Sequence, residues 1–155
     1  MRVFTSVDEL TTAVGETLGP GPWQRIEQDR VNLFADATDD HQWIHVDPVR
    51  AAAGPFGATI AHGYLTLSLL PALAGQLYRV EGVTMGVNYG LNRVRFPAPL
   101  RVGAAVRATA VIAEVSPVSG GGVQMVTAVT VESDGGGKPV CVAETVSRLY
   151  GKADG

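Results

Sequence analysis

Ile60-Ala61-His62-Gly63-Tyr64-Leu65-Thr66-Leu67-Ser68-Leu69-Leu70-Pro71-Ala72-Leu73-Ala74-Gly75-Gln76-Leu77-Tyr78-Arg79-Val80 is the most apolar stretch of the chain, and its period decides the fold. Leu65, Leu69, Leu73 and Leu77 recur every fourth residue, and Leu67, Leu70 and Ala74 widen the stripe to both sides. A helix apolar on so many faces is a buried one. The spacing predicts one long helix from Ile60 to about Val80, kinked or tightened by Pro71, whose ring costs a helix interior about 3 kcal/mol. Thr66, Ser68, Pro71 and Gln76 interrupt the run, so it does not read as a membrane span of roughly 20 apolar residues.

Downstream the period changes to two. Val83, Met85, Val87, Tyr89 and Leu91 alternate, and Val94 and Phe96 then take the opposite parity, which places a bulge or bend near Gly90. Val106 to Ile112, Val123 to Val131 and Pro139 to Tyr150 are three further strand-like runs. Ser119-Gly120-Gly121-Gly122 and Asp134-Gly135-Gly136-Gly137 separate them as hairpin turns. No helix lies between the late strands, so a doubly wound parallel sheet is excluded. Upstream, Thr5 to Thr12 reads as a short helix capped by Thr5 or Ser6, and Trp23 to Ile26 as a short strand. Gln28 to Ala37 reads as an amphipathic helix, Thr38 to Asp47 as a polar loop, and Pro48 to Ala53 as one or two helical turns opened by proline. The architecture expected is α+β: a buried helix wrapped by a curved antiparallel sheet.

Composition sets the outer limits. The 155 residues suit a single domain, 1–155, with no repeat or dividing linker. Twelve Lys+Arg against fifteen Asp+Glu, with no basic cluster, argue against a nucleic-acid partner. Charged residues are only 17% of the chain, which points to a buried subunit interface, a second copy being the simplest cover for an open sheet. The single Cys141 excludes an internal disulfide framework and, in a strand-like apolar run, reads as core rather than nucleophile. Asp8 and Glu9 sit where a leader's apolar segment would be, so the expectation is a cytoplasmic protein without a membrane partner.

All three histidines, His41, His45 and His62, lie within 22 positions, with Asp36, Asp39, Asp40 and Asp47 around the first two. Three readings are open. The aspartates are caps and turn residues and the histidines surface residues. Alternatively, His41 and His45, at i and i+4, bind a metal with His62 and an Asp, although Gln42 breaks the zincin pattern. Or a neutral imidazole and a carboxylate hold one water and move its proton near neutral pH. A loop can bring Asp40 and His45 together, and Ile60-Ala61-His62-Gly63 at the start of the buried helix offers free N–H groups to a developing oxyanion. Glycine at 63 lets a ligand carbonyl approach the backbone, or simply suits the start of the helix.

Phe34-Ala35-Asp36-Ala37-Thr38-Asp39-Asp40-His41-Gln42-Trp43-Ile44-His45-Val46-Asp47, followed by Ile60-Ala61-His62-Gly63, resembles the hydratase-2 motif of the MaoC-like, (R)-specific enoyl-CoA hydratases. Asn88-Tyr89-Gly90-Leu91-Asn92-Arg93-Val94-Arg95-Phe96-Pro97 is similar to the strand after the central helix in single-domain bacterial members. The resemblance implies a hotdog fold and a homodimer. It places the family's catalytic Asp on Asp40, its catalytic His on His45, and the glycine whose N–H binds the thioester carbonyl on Gly63. Gln42 stands where many members have Asn, and His62 belongs to the motif, so both are candidates for supporting roles. Arg93 and Arg95 either meet coenzyme A phosphates or form salt bridges at the strand end. The implied activity is reversible hydration of trans-2-enoyl-CoA to (R)-3-hydroxyacyl-CoA, with an acyl-CoA thioester as substrate and no metal or separate cofactor. A hotdog acyl-CoA thioesterase and a non-catalytic acyl-binding subunit of a hotdog heteromer are the alternatives.

Overall fold

The computed structural model describes residues 1–151. Along the chain, strand β1 (Arg2–Phe4) leads to helix α1 (Val7–Thr12), whose Ser6 cap accepts a hydrogen bond from the Glu9 N–H. Short strands β2 (Thr17–Leu18) and β3 (Gln24–Arg25) precede the amphipathic helix α2 (Gln28–Thr38), which buries Val31 and Ala35. Helices α3 (Trp43–Val46) and α4 (Pro48–Ala52) follow, then α5 (Gly63–Ser68) and α6 (Leu70–Ala74). Strand β4 (Tyr78–Val80) leads into the long strands β5 (Val83–Arg95), β6 (Ala105–Val118), β7 (Gly122–Ser133) and β8 (Cys141–Gly151).

The leucine stripe is helical, but over a shorter span than its period predicts. Ile60 and Ala61 are extended, with Ile60 bridged to Arg101 and the Ala61 N–H donating to the Leu100 carbonyl. Pro71 brings no N–H to the Leu67 carbonyl, and a turn at Leu69, whose N–H donates to both Leu65 and Thr66, divides α5 from α6. The helix stops at Gly75, and Tyr78–Val80 instead pairs in parallel with Arg2–Phe4. A second departure is that Trp43–Val46, within the polar stretch expected to be loop, forms one helical turn that carries His45.

The main sheet runs β2-β6-β7-β8-β5 and is open. The last three strands form the hairpins their glycine turns predict. The first long strand does not continue this meander: β5 crosses to the far edge and pairs antiparallel with β8. Its register slips between Asn88 and Gly90 and again between Leu91 and Arg93, so Tyr89 and Asn92 are extra residues and the parity changes where alternation predicts.

One face of the sheet is the core. Val106, Ala108, Ala110 and Ile112 of β6, Val123, Met125, Val129 and Val131 of β7, and Cys141 and Ala143 of β8 pack against Leu65, Leu70, Leu73 and Leu77. Cys141 is fully buried, and burial pushes its thiol up to about 11, which makes it a core residue rather than a nucleophile. A clamp of surface charge closes the N-terminal end, where Arg2 meets Glu9 at 2.7 Å and Glu16 at 2.9 Å. Bonds from the Thr5 N–H and Arg2 hold Glu9 down to about 2.

Leu73 is 1% exposed beneath the sheet, whereas Val49 is 85% exposed. Urea unfolding of Leu73→Ala is expected to show a loss of about 2–5 kcal/mol, and of Val49→Ala a change within about 0.5 kcal/mol. Equal effects would contradict this account of the core.

Candidate active site

The start of α5 and the loop before α3 meet edge to edge. Asp40, His45 and His62 each bring one nitrogen or oxygen within 4.8 Å of the other two. His45 is 7% exposed and His62 2% exposed, and the Asp40 side chain is half exposed. The loop leaves α2 through Asp39, whose left-handed backbone (φ 59°) turns the chain, so Asp39 is a geometric residue rather than part of the cluster. Asp47 is likewise a cap, accepting from the Arg50 N–H at 3.0 Å. His41 points elsewhere and pairs with Asp36 at 2.9 Å, a hydrogen bond that raises its pKa.

Two backbone carbonyls fix the imidazoles. His45 Nδ1 lies 2.7 Å from the Ile60 carbonyl and His62 Nε2 lies 2.9 Å from the Asp40 carbonyl. A carbonyl only accepts, so both of these nitrogens carry protons, which leaves Nε2 as the basic nitrogen of His45. Buried His62 Nδ1 has no partner among the described residues. The two rings stack at 3.8 Å between centroids and 24° between planes, and Phe34 covers His62 at 5.0 Å. Burial, and the proximity of His62, push His45 below its ordinary pKa, against the opposing pull of the Ile60 bond and Asp40. His45 is therefore a neutral base at pH 7.

The same three donors, one from each of Asp40, His45 and His62, lie close enough together to share either a water or an ion.

Gly63 opens α5, and its N–H lies in the first turn, where a helix supplies no acceptor. The Phe96 ring lies against it: a Cβ at Gly63 would stand 2.8 Å from Phe96 Cδ2. Gln42 works through its backbone. Its carbonyl accepts from the His45 N–H at 2.9 Å and its N–H reaches Asp40 Oδ1 at 3.4 Å, while its exposed side chain makes no hydrogen bond among the described residues. Arg95 donates to the Val94 carbonyl, and neither it nor Arg93 forms an ion pair among the described residues.

Gln28 was not singled out by the sequence. Its Nε2 donates to the His45 carbonyl at 2.7 Å and to Asn32 Oδ1 at 3.0 Å, and its Oε1 accepts from the Thr59 hydroxyl at 2.6 Å. It thus ties α2 and the segment before α5 to the turn carrying His45. A glutamine at the start of an amphipathic helix gives no sign of such a task.

Farther along the same helix lies a cavity of about 720 Å³ between the broken helix and the sheet, walled on the helix side by Leu67, Ser68, Leu70, Pro71 and Ala74. No helix among the described residues is long and apolar enough to cross a membrane.

Comparison with known proteins identifies the family. The chain is 58% identical over 148 residues to the 3-hydroxyacyl-thioester dehydratase Z of Mycobacterium tuberculosis, covering 96% of this chain and 98% of that one. Its fold superposes on the unliganded R-hydratase PhaJ1 of Pseudomonas aeruginosa with a TM-score of 0.72 at 24% identity, over 96% and 88% of the two chains. An (R)-hydratase from A. caviae involved in PHA biosynthesis matches with a TM-score of 0.68 at 26% identity, over 88% and 96%. The MaoC like domain model matches residues 9–135. With this family model and this relative covering nearly the whole chain, the chain belongs to the MaoC-like dehydratase family, hydro-lyases built on the hotdog fold.

Proposed function

We propose that the protein is an (R)-specific enoyl-CoA hydratase, adding water reversibly to trans-2-enoyl-CoA to give (R)-3-hydroxyacyl-CoA. The observation that carries the proposal is the meeting of the Asp40 carboxylate with a buried, neutral His45 at the start of the helix that begins with Gly63. The Gly63 N–H donates to the thioester carbonyl, drawing charge from the conjugated double bond and holding the enolate oxygen that follows. Asp40 and His45 hold a water between them. As its oxygen bonds to C3, its proton passes to the pair, and the pair returns a proton to C2, so the net change is addition of one water. Dehydration is the same path reversed. His62 supports the pair by anchoring the Asp40 backbone, and Gln42 by anchoring that of His45. Every proton in the scheme is carried by side chains, backbone or water, so no metal or separate cofactor is invoked, and coenzyme A enters as part of the substrate. The acyl chain runs along α5 into the cavity, whose wall residue Leu67 lies about 6 Å along the helix from Gly63.

The second part of the proposal is a homodimer. Strand β5 is the sheet's edge and exposes Met85, Val87, Tyr89 and Leu91, an apolar edge that invites pairing with a second copy. Light scattering is expected to give twice the chain mass, falling toward the monomer in Val87→Asp. A monomeric parent protein would contradict this part.

Asp40→Asn and His45→Gln are each expected to lower kcat for crotonyl-CoA hydration by about 10²–10⁴-fold. Thermal unfolding is expected to be unchanged in Asp40→Asn and cooperative at a lower Tm in His45→Gln, since the Ile60 carbonyl loses its donor. Near-parental rates in either variant would remove that residue from the proposal. Because burial places His45 below the ordinary imidazole value of about 6.5, kcat/KM in the parent should hold through neutrality and fall only in more acidic solution. Stability follows the same sign. The unfolded chain takes up this proton first as pH drops below about 6.5, so His45 makes the fold less stable in acid, and not in base.

A further inference from the structure

The sheet wall of the cavity departs from the rest of the core face. Thr127 pairs with Thr145 across β7 and β8, and Met125 with Ser147, so these side chains share the face that carries Val123, Val129 and Ala143. Asn88 pairs with Ser147 across β8 and β5 and lies on the same face. Thr127, Thr145, Ser147 and Asn88 thus form one contiguous polar patch on an otherwise apolar surface, and all four line the cavity opposite Leu67, Leu70, Pro71 and Ala74.

The fold makes little use of these groups. The Thr145 hydroxyl reaches the Thr127 carbonyl at 3.4 Å, a long bond, and the side chains of Thr127, Ser147 and Asn88 make none among the described residues. Thr127 is nevertheless 4% exposed. Thr145 and Ser147 are half-buried and Asn88 is exposed, so their polar atoms face the cavity and not a sealed core, and asparagine is a poor strand residue with no ladder to favour it there. A cavity with one apolar wall and a few convergent polar groups is the form that binding sites take.

We propose that this patch recognises oxygen on the acyl chain: the substrate's tail carries a hydroxyl or similar hydrogen-bonding oxygen beyond the reacting carbons, with its hydrocarbon part against the helix. The inference rests on the hydratase reading, since the thioester at Gly63 directs the tail along α5. Thr127 and Thr145 offer hydroxyls that donate or accept, and Asn88 and Ser147 extend the strip to the edge strand. A plain alkyl chain would leave them all unpaired.

The test compares kcat/KM for a 2-enoyl-CoA with an unsubstituted chain against chains of equal length bearing a hydroxyl at successive carbons beyond C4. The matching saturated acyl-CoAs, which do not react, are titrated calorimetrically. At least one hydroxylated chain is expected to exceed the plain one by about fivefold or more in both measurements, the gain of about one hydrogen bond. The double variant Thr145→Val/Ser147→Ala should erase that difference while turnover of the plain chain persists. Equal or lower values for every hydroxylated chain overturn the inference, as does a preference that the double variant leaves intact. If no enoyl-CoA is hydrated, the hydratase reading fails, and the titration alone then decides for or against oxygen recognition by the cavity.

Discussion

Two imidazole N–H groups donating to two backbone carbonyls hold the centre of this molecule together. His45 reaches forward to Ile60, and His62 reaches back to Asp40, so each partner of the crossing lies in the segment that carries the other. Either bond alone would let the loop swing. Together they fix the orientation of both rings, bring the Asp40 carboxylate beside His45, and seat the whole on the first turn of α5. Both bonds are buried or nearly so, where a carbonyl left unpaired would cost about 1–3 kcal/mol. The same contacts that complete the fold locally also set up the chemistry.

The surrounding architecture keeps that crossing rigid. The broken helix α5–α6 is pressed into the sheet by Leu65, Leu70 and Leu73, so the position of Gly63 is set by the core and not by the loop. Gln28 joins α2 to both sides of the crossing through two hydrogen bonds, one to the His45 carbonyl and one from the Thr59 hydroxyl. Phe96 fills the place a side chain at 63 would need, which gives that glycine a packing reason in addition to any role toward a ligand. The price of the arrangement is an open cavity beside the helix and an uncovered edge strand, and both are where a substrate and a second copy would be accommodated.

Much of this was legible because the signals are local. Leucines at every fourth residue mark a helix whatever it packs on, and alternation in Val123 to Val131 marks a strand with one buried face. The aspartate and histidines of the site stand in two short motifs, so residue chemistry and resemblance were enough to single them out. The illegible parts depend on distant partners. Tyr78 to Val80 leaves the helix to pair with Arg2 to Phe4, and β5 crosses the sheet to reach β8; neither is encoded in the segment itself. Spacing also gave no means of separating His41, which pairs with Asp36 outside the cluster, from His62, which is buried within it. The polar patch of Thr127, Thr145, Ser147 and Asn88 is assembled from three strands and has no signature in any of them.

The central claim is that the Asp40–His45 pair directs water to one face of an enoyl thioester. Crotonyl-CoA incubated with the purified protein in ¹⁸O-labelled water, followed by chiral analysis of the product, tests it most directly. The account predicts (R)-3-hydroxybutyryl-CoA with the label at C3 and the thioester intact. Release of free coenzyme A, formation of the (S) product, or no reaction would contradict it.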